Sequence, residues 1–66
     1  MAELYERLRK KREGAGITRQ ALASRLGAAY TTVWRWENGA VAPEPAALAG
    51  WKAVLDILVR EKGRTK

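Results

Sequence analysis

Cysteine and histidine are absent from this chain of 66 residues. Their absence excludes disulfide bonds, thiolate nucleophiles, imidazole bases and the usual zinc ligands. Catalysis would then depend on carboxylates, and neither Glu37 nor Asp56 has a second carboxylate at a useful position in the sequence. We therefore expect no metal, no cofactor and no enzymatic activity.

Long apolar runs are also missing. No stretch approaches the roughly 18–20 apolar residues that span a bilayer. The N-terminal stretch carries Glu3 and Glu6 and has no apolar segment of the signal-peptide kind. These absences predict a cytoplasmic protein without a membrane partner. A chain of this length forms one domain at most, with little core to spare.

Charge and composition indicate both a partner and a fold class. The chain has 13 Lys and Arg against 7 Asp and Glu, for a formal net charge of +6. A small basic chain favours a polyanionic partner, with nucleic acid ahead of a membrane surface. Strong helix formers dominate and no period-2 alternation is present, so the sequence predicts an all-α fold.

Start and stop signals predict a small bundle of four to five helices. The predicted helices cover residues 2–13, 19–26, 30–38 and 45–62. The last helix is expected to be either continuous or divided into two pieces hinged near Gly50. We assign 1–62 to one domain and 63–66 to a basic C-terminal tail.

The second and third predicted helices form the most informative segment. Thr18 is the expected N-cap of the second helix, and Gly27 is expected to end it in a left-handed conformation. Ala29 gives the third helix no side-chain cap, at a cost of about 1 kcal/mol. The residues expected to hold the two helices together are Leu22, Ala23, Leu26 and Val33. Two short helices joined by a tight glycine turn are typical of a helix-turn-helix, whose second helix enters the major groove.

Two motifs sharpen this interpretation: LASRLG at 22–27 and VWRWENG at 33–39, followed by Pro43 before the last helix. With them, residues 8–49 resemble the Cro/phage-repressor (XRE-type) helix-turn-helix family. The resemblance implies a phage-repressor type of DNA-binding domain in which helices 2 and 3 form the helix-turn-helix.

The resemblance also implies which side chains read bases. The family reads DNA from the first exposed positions of its third helix and again one turn later, which here are Tyr30, Thr31 and Arg35. Arg35 is suited to donate two parallel bonds to a guanine, and Thr31 to bond a base edge or pack on a thymine methyl. Tyr30 is expected to reach a phosphate or a thymine methyl.

Other side chains are expected on the DNA backbone. The family positions imply phosphate contacts by Arg19 and Asn38, and Thr32 is expected to face the backbone or the groove wall. Lys11 belongs to a basic run on the first helix, which is either a solvated face or a further phosphate contact.

Several residues have expected roles away from the bases. Arg12 and Glu37 match a structural ion pair of the family, and Trp36 is expected in the core. Val54 and Ile57 fall outside the core stripe of the last helix, either as scattered surface residues or as a dimer patch. Trp34 is expected on the linker 40–44, on the sugar–phosphate edge or on a partner.

The leading hypothesis is a sequence-specific regulator of transcription that binds double-stranded DNA, of the Cro-like repressor type, in a bacterium or a phage-infected cell. It would bind a pseudo-palindromic operator as a homodimer, at least on DNA, and would respond to no small-molecule effector. The alternative is an antitoxin or adaptor that uses the same fold to bind another protein.

Overall fold

The computed structural model describes residues 2–64, and these form four helices without strands. The helices are α1 (Ala2–Gly14), α2 (Arg19–Leu26), α3 (Tyr30–Glu37) and α4 (Pro45–Arg64). The predicted all-α bundle is confirmed, and α2 has the predicted bounds. Thr65 and Lys66, the end of the predicted tail, lie outside the described residues.

Glycines at positive φ separate the first three helices. Gly16 follows α1 with a φ of 75°, and Gly27 follows α2 with a φ of 72° and a ψ of 24°. Both angles lie in the left-handed region, which costs glycine little because it has no Cβ. The Gly27 N–H donates to the carbonyls of Ala23 and Ser24. The chain therefore turns from α2 to α3 within three residues.

The two helices of the helix-turn-helix begin differently. Thr18 accepts a 3.0 Å hydrogen bond from the Ala21 N–H, so α2 has a side-chain cap. Ala29 has almost the same extended backbone as Thr18, with a φ of −71° and a ψ of 147°, but makes no side-chain cap. The expected weak start of α3 is therefore present.

The core lies between α4 and the other three helices. Its fully buried members come from three helices: Leu22, Val33, Trp51 and Leu55. Trp51 stacks on Tyr5 of α1 at 6.0 Å between ring centroids, and on Trp36 of α3 at 5.7 Å. Trp36 itself is only partly buried, so it covers the core from one side. Packing of α2 and α1 on both α3 and α4 closes the bundle.

The fourth helix is continuous, so the predicted alternative of a hinge near Gly50 is wrong. A side chain at Gly50 would meet Leu26 of α2 at an ordinary contact distance of 4.0 Å. The helix also includes Gly63 and Arg64, beyond its predicted end. Two ion pairs tie it to its neighbours, Lys11 with Asp56 and Arg25 with Glu61. The hydrogen bond and charge of Lys11 lower the pKa of Asp56.

The effect of the two helix N-caps on stability can be tested directly. Ala29→Ser should let the new hydroxyl accept from the Thr32 N–H, as Thr18 accepts from Ala21, in addition to the 3.0 Å bond that this N–H already donates to the Ala29 carbonyl. We expect a gain of about 1 kcal/mol, which corresponds to roughly 4–8 °C in the melting temperature of a domain this small. Thr18→Ala should lower stability by a similar amount. Thermal unfolding followed by circular dichroism measures both, and the exposed Ala40→Ser is the control. An Ala29→Ser variant no more stable than Ala40→Ser would contradict the capping argument.

The Lys11–Asp56 pair predicts a pH dependence. Because the pKa of Asp56 is lowered in the folded state, its contribution to stability is present above the unfolded value of 3.8 and is lost as the pH falls through the folded value. Asp56→Asn should therefore be less stable than the parent at neutral pH and equal to it in strong acid. Urea unfolding at both pH values measures the difference. Lys11→Gln should show the same convergence, and a difference that persists in acid would rule out the charge pair as its cause.

Candidate nucleic-acid interface

One face of α3 is open to solvent and the opposite face is buried. Val33 and Glu37 point into the bundle, and Thr32 and Trp36 are half-buried. The exposed residues are Tyr30, Thr31, Trp34 and Arg35. The three predicted base readers thus share one exposed surface. Trp34, which the sequence predicted on the linker 40–44, on the sugar–phosphate edge or on a partner, lies among them. We call these four residues the α3 face.

Glu37 anchors the buried side of α3. Its side chain has no exposed surface and accepts hydrogen bonds from two arginines. Arg12 of α1 donates from Nε to Oε2 at 2.7 Å and from Nη2 to Oε1 at 3.1 Å. Arg19 of α2 donates from Nε to Oε1 at 2.9 Å. A single carboxylate therefore connects three helices, and the structure contains the expected Arg12–Glu37 pair.

Arg12 also holds the turn that precedes α2. Its Nη1 donates to the Ile17 carbonyl at 2.9 Å, while its side chain is only 7% exposed. The Ile17 N–H in turn donates to the Arg12 carbonyl at 3.1 Å. These bonds use every nitrogen of the Arg12 guanidinium, so this arginine is engaged within the protein.

Arg19 links the buried carboxylate to the α3 face. Its Nη1 donates to the Tyr30 hydroxyl at 3.1 Å, and its guanidinium carbon lies 5.6 Å from the centroid of the Tyr30 ring. The hydrogen bond to Glu37 raises the pKa of Arg19, so the arginine stays charged. The sequence predicted only a phosphate contact for Arg19 and missed this contact with Tyr30. No local signal could have found it, because tertiary packing brings together these two side chains, which are 11 positions apart on different helices.

The other residues predicted to contact the DNA backbone have different surroundings in the structure. Asn38 is exposed, but its Nδ2 donates to the Trp34 carbonyl at 2.8 Å. It lines a cavity of about 250 Å³ together with Glu3, Glu6 and Arg9, so charged groups of both signs lie beside it. Lys11 is paired with Asp56. Thr32 is half-buried beside the α3 face.

The expected dimer patch is not uniform. Val54 packs partly against the core, whereas Ile57 is 42% exposed. Of the two residues, Ile57 is the more exposed.

The exposed charge on α3 favours the binding of a polyanion. Glu37 is its one acidic residue, and that carboxylate is buried and paired with two arginines. The α3 face therefore carries the positive charge of Arg35 and no exposed carboxylate. Residues 2–64 contain no acidic cluster arranged to hold a metal ion. Within the same residues, no helix is both long and apolar enough to cross a membrane.

The contribution of the Glu37 carboxylate to the stability of the fold can be measured directly. Glu37→Gln keeps the shape of the side chain but removes the buried counter-charge of Arg12 and leaves it only the exposed carboxylate of Glu13 at 3.7 Å. Loss of one partner of a buried ion pair typically costs about 3–5 kcal/mol. Glu44→Gln makes the same chemical change at an exposed side chain and should cost less than about 0.5 kcal/mol. Urea unfolding of both variants gives the free energies. Equal stabilities for the two variants would show that the buried pair does not hold the bundle together.

Comparison with known proteins agrees with this geometry. No curated protein and no solved structure gives a significant match. A family model described as a helix-turn-helix domain matches residues 3–57, which include all of α2 and α3 and most of α1 and α4. The match is consistent with an XRE-type DNA-binding family and indicates a DNA-binding regulator in general terms. Because it covers well over half of the sequence, the chain belongs to the helix-turn-helix domain family.

Proposed function

We propose that this chain is a sequence-specific regulator of transcription that binds double-stranded DNA as a Cro-like repressor. The observation that carries the proposal is the α3 face, which exposes Tyr30, Thr31 and Arg35 together and has no exposed carboxylate. A rigid helix with such a face fits the major groove, where base edges carry a distinct pattern of donors and acceptors. The net charge of +6 supports the attraction to DNA.

Within this proposal, three residues carry the sequence information. Arg35 is exposed and bonds to no other side chain among the described residues, so its guanidinium is available for O6 and N7 of a guanine. Thr31 offers a hydroxyl and a methyl group to neighbouring base edges. Tyr30 already accepts a hydrogen bond from Arg19, which leaves its own hydroxyl proton to donate to a phosphate or a base.

The proposed contacts to the DNA backbone differ in which existing bonds within the protein must be broken to form them. The Nη2 of Arg19 has no partner among the described residues and is available for a phosphate. Thr32 lies at the edge of the α3 face. Asn38 would give up its bond to the Trp34 carbonyl, and Lys11 would leave Asp56. We therefore expect Arg19 to contribute the strongest phosphate contact of the four.

We further propose that two copies bind a pseudo-palindromic operator, with half-sites about one helical turn apart. Ile57, exposed on α4, is the apolar side chain we assign to the contact between copies, with Val54 beside it. Such a dimer would act by covering a promoter in the cytoplasm of a bacterium or an infected cell. Repression would then depend on protein concentration and on affinity for the operator.

Selection of bound DNA from a random pool tests the proposal. We expect a palindromic motif, with an affinity that falls steeply as salt rises. On that motif, Arg35→Ala should lower affinity by roughly 1–3 kcal/mol and relax the preference at one base position, with little change on random DNA. Fluorescence anisotropy with selected and random duplexes measures the ratio.

Arg60→Ala is the matched control, because it removes the same charge from an exposed position on α4. It should leave the ratio of specific to random affinity unchanged. An Arg35→Ala variant that weakens both DNAs equally would show that Arg35 contacts no base. Failure to bind any DNA in the pool at low salt would overturn the proposed function and favour the protein-interaction alternative.

A further inference from the structure

Trp34 is an unexplained part of the α3 face. Trp34 is 46% exposed, although tryptophan is usually well buried. Its backbone carbonyl is occupied, since it accepts hydrogen bonds from the N–H and from the side chain of Asn38. No aromatic or cation–π contact of the indole is present among the described residues, in contrast to Trp36 and Trp51, which stack on each other.

Helical geometry places this indole in the middle of the proposed reading surface. At about 100° per residue, Trp34 lies roughly 40° around the helix from Tyr30 and roughly 60° from Thr31. Arg35 follows at the far edge. All four side chains are exposed. The buried Val33 lies about 100° around the helix from Trp34, and the buried Glu37 borders the exposed arc beside Tyr30, about 60° from Trp34. A duplex that contacts Tyr30 and Thr31 therefore also meets Trp34.

The chemistry of the indole restricts what it can recognise there. Its one polar group is a single N–H donor, and the rest is a flat apolar surface. Phosphates are better bound by the neighbouring cations. In the major groove, the apolar group that distinguishes one base from the others is the C5-methyl of thymine.

We propose that Trp34 reads the C5-methyl group of a thymine and is a further specificity-determining residue of the α3 face. The inference rests on the proposed DNA-binding function. A double helix is a better occupant than a protein, because Trp34 lies between Tyr30 and Thr31 around the helix, Arg35 adds a positive charge to the same face, and α3 exposes no carboxylate. Burial of one methyl group against the indole should change affinity about fourfold.

Replacement of single thymines by deoxyuridine in the selected operator removes one methyl group at a time and leaves all hydrogen-bonding groups in place. With the parent protein, we expect about a fourfold loss of affinity at one thymine of each half-site. With Trp34→Ala, the same replacement should have no effect, while Trp34→Phe should retain part of the discrimination. Val41→Ala, which truncates a similarly exposed apolar side chain outside α3, should behave as the parent does.

A second measurement uses the unmodified protein, so it does not depend on the folding of a variant. The sensitive thymine is replaced by 5-iodo-deoxyuridine, whose halogen occupies the position of the methyl group, and the complex is irradiated. We expect a cross-link to Trp34, located by mass spectrometry of the digested complex.

The outcomes separate this inference from the proposed function. Specific binding with no loss at any deoxyuridine position would overturn the role of Trp34 and leave the DNA-binding function intact. The same holds if the loss persists in Trp34→Ala, or if the cross-link forms at Tyr30. Absence of binding to any DNA would overturn the proposed function itself, and with it the role of Trp34 on DNA.

Discussion

The buried carboxylate of Glu37 is the constraint on which the arrangement of the first three helices depends. A carboxylate without exposed surface costs several kcal/mol unless it is paired and hydrogen-bonded. Here Arg12 and Arg19 supply the charge, from α1 and α2 respectively, and their three hydrogen bonds lie between 2.7 and 3.1 Å. A rotation of α3 about its axis would pull Glu37 from both partners at once. The orientation of the α3 face is therefore fixed by electrostatics as well as by apolar packing.

Pairing of other carboxylates with cations shapes the electric field outside the protein. Several carboxylates are engaged by cations away from the α3 face: Glu13 lies near Arg9 and Arg12, Asp56 pairs with Lys11 and Glu61 pairs with Arg25. These surface pairs contribute little to stability, because solvent screens them. Each pair cancels the negative charge of its own carboxylate locally. The excess of basic residues then acts on a surface of α3 that contains no competing acid, which favours approach of a polyanion from that side.

The features predicted from sequence alone are mostly local. The cap at Thr18, the left-handed Gly27 and the start of α4 at Pro45 depend on neighbouring residues, and the sequence shows them directly. The Arg12–Glu37 pair was expected only through the family resemblance, since nothing local joins residues 25 positions apart. The contact of Arg19 with Tyr30 and the continuity of α4 through Gly50 arise from tertiary packing. Propensity and spacing carry no information on such contacts.

The weak start of α3 shows how the bundle replaces a local signal with a tertiary one. A helix of eight residues is marginal by itself, and Ala29 gives it no cap. Arg19 instead holds the first residue of the helix by a hydrogen bond to the Tyr30 hydroxyl and by its position over the ring. The same guanidinium bonds to Oε1 of Glu37, in the last turn of α3. Both ends of the helix are thus connected through one side chain of α2. It follows that a change at Glu37 would disturb Tyr30, at the opposite end of α3, as well as the centre of the fold.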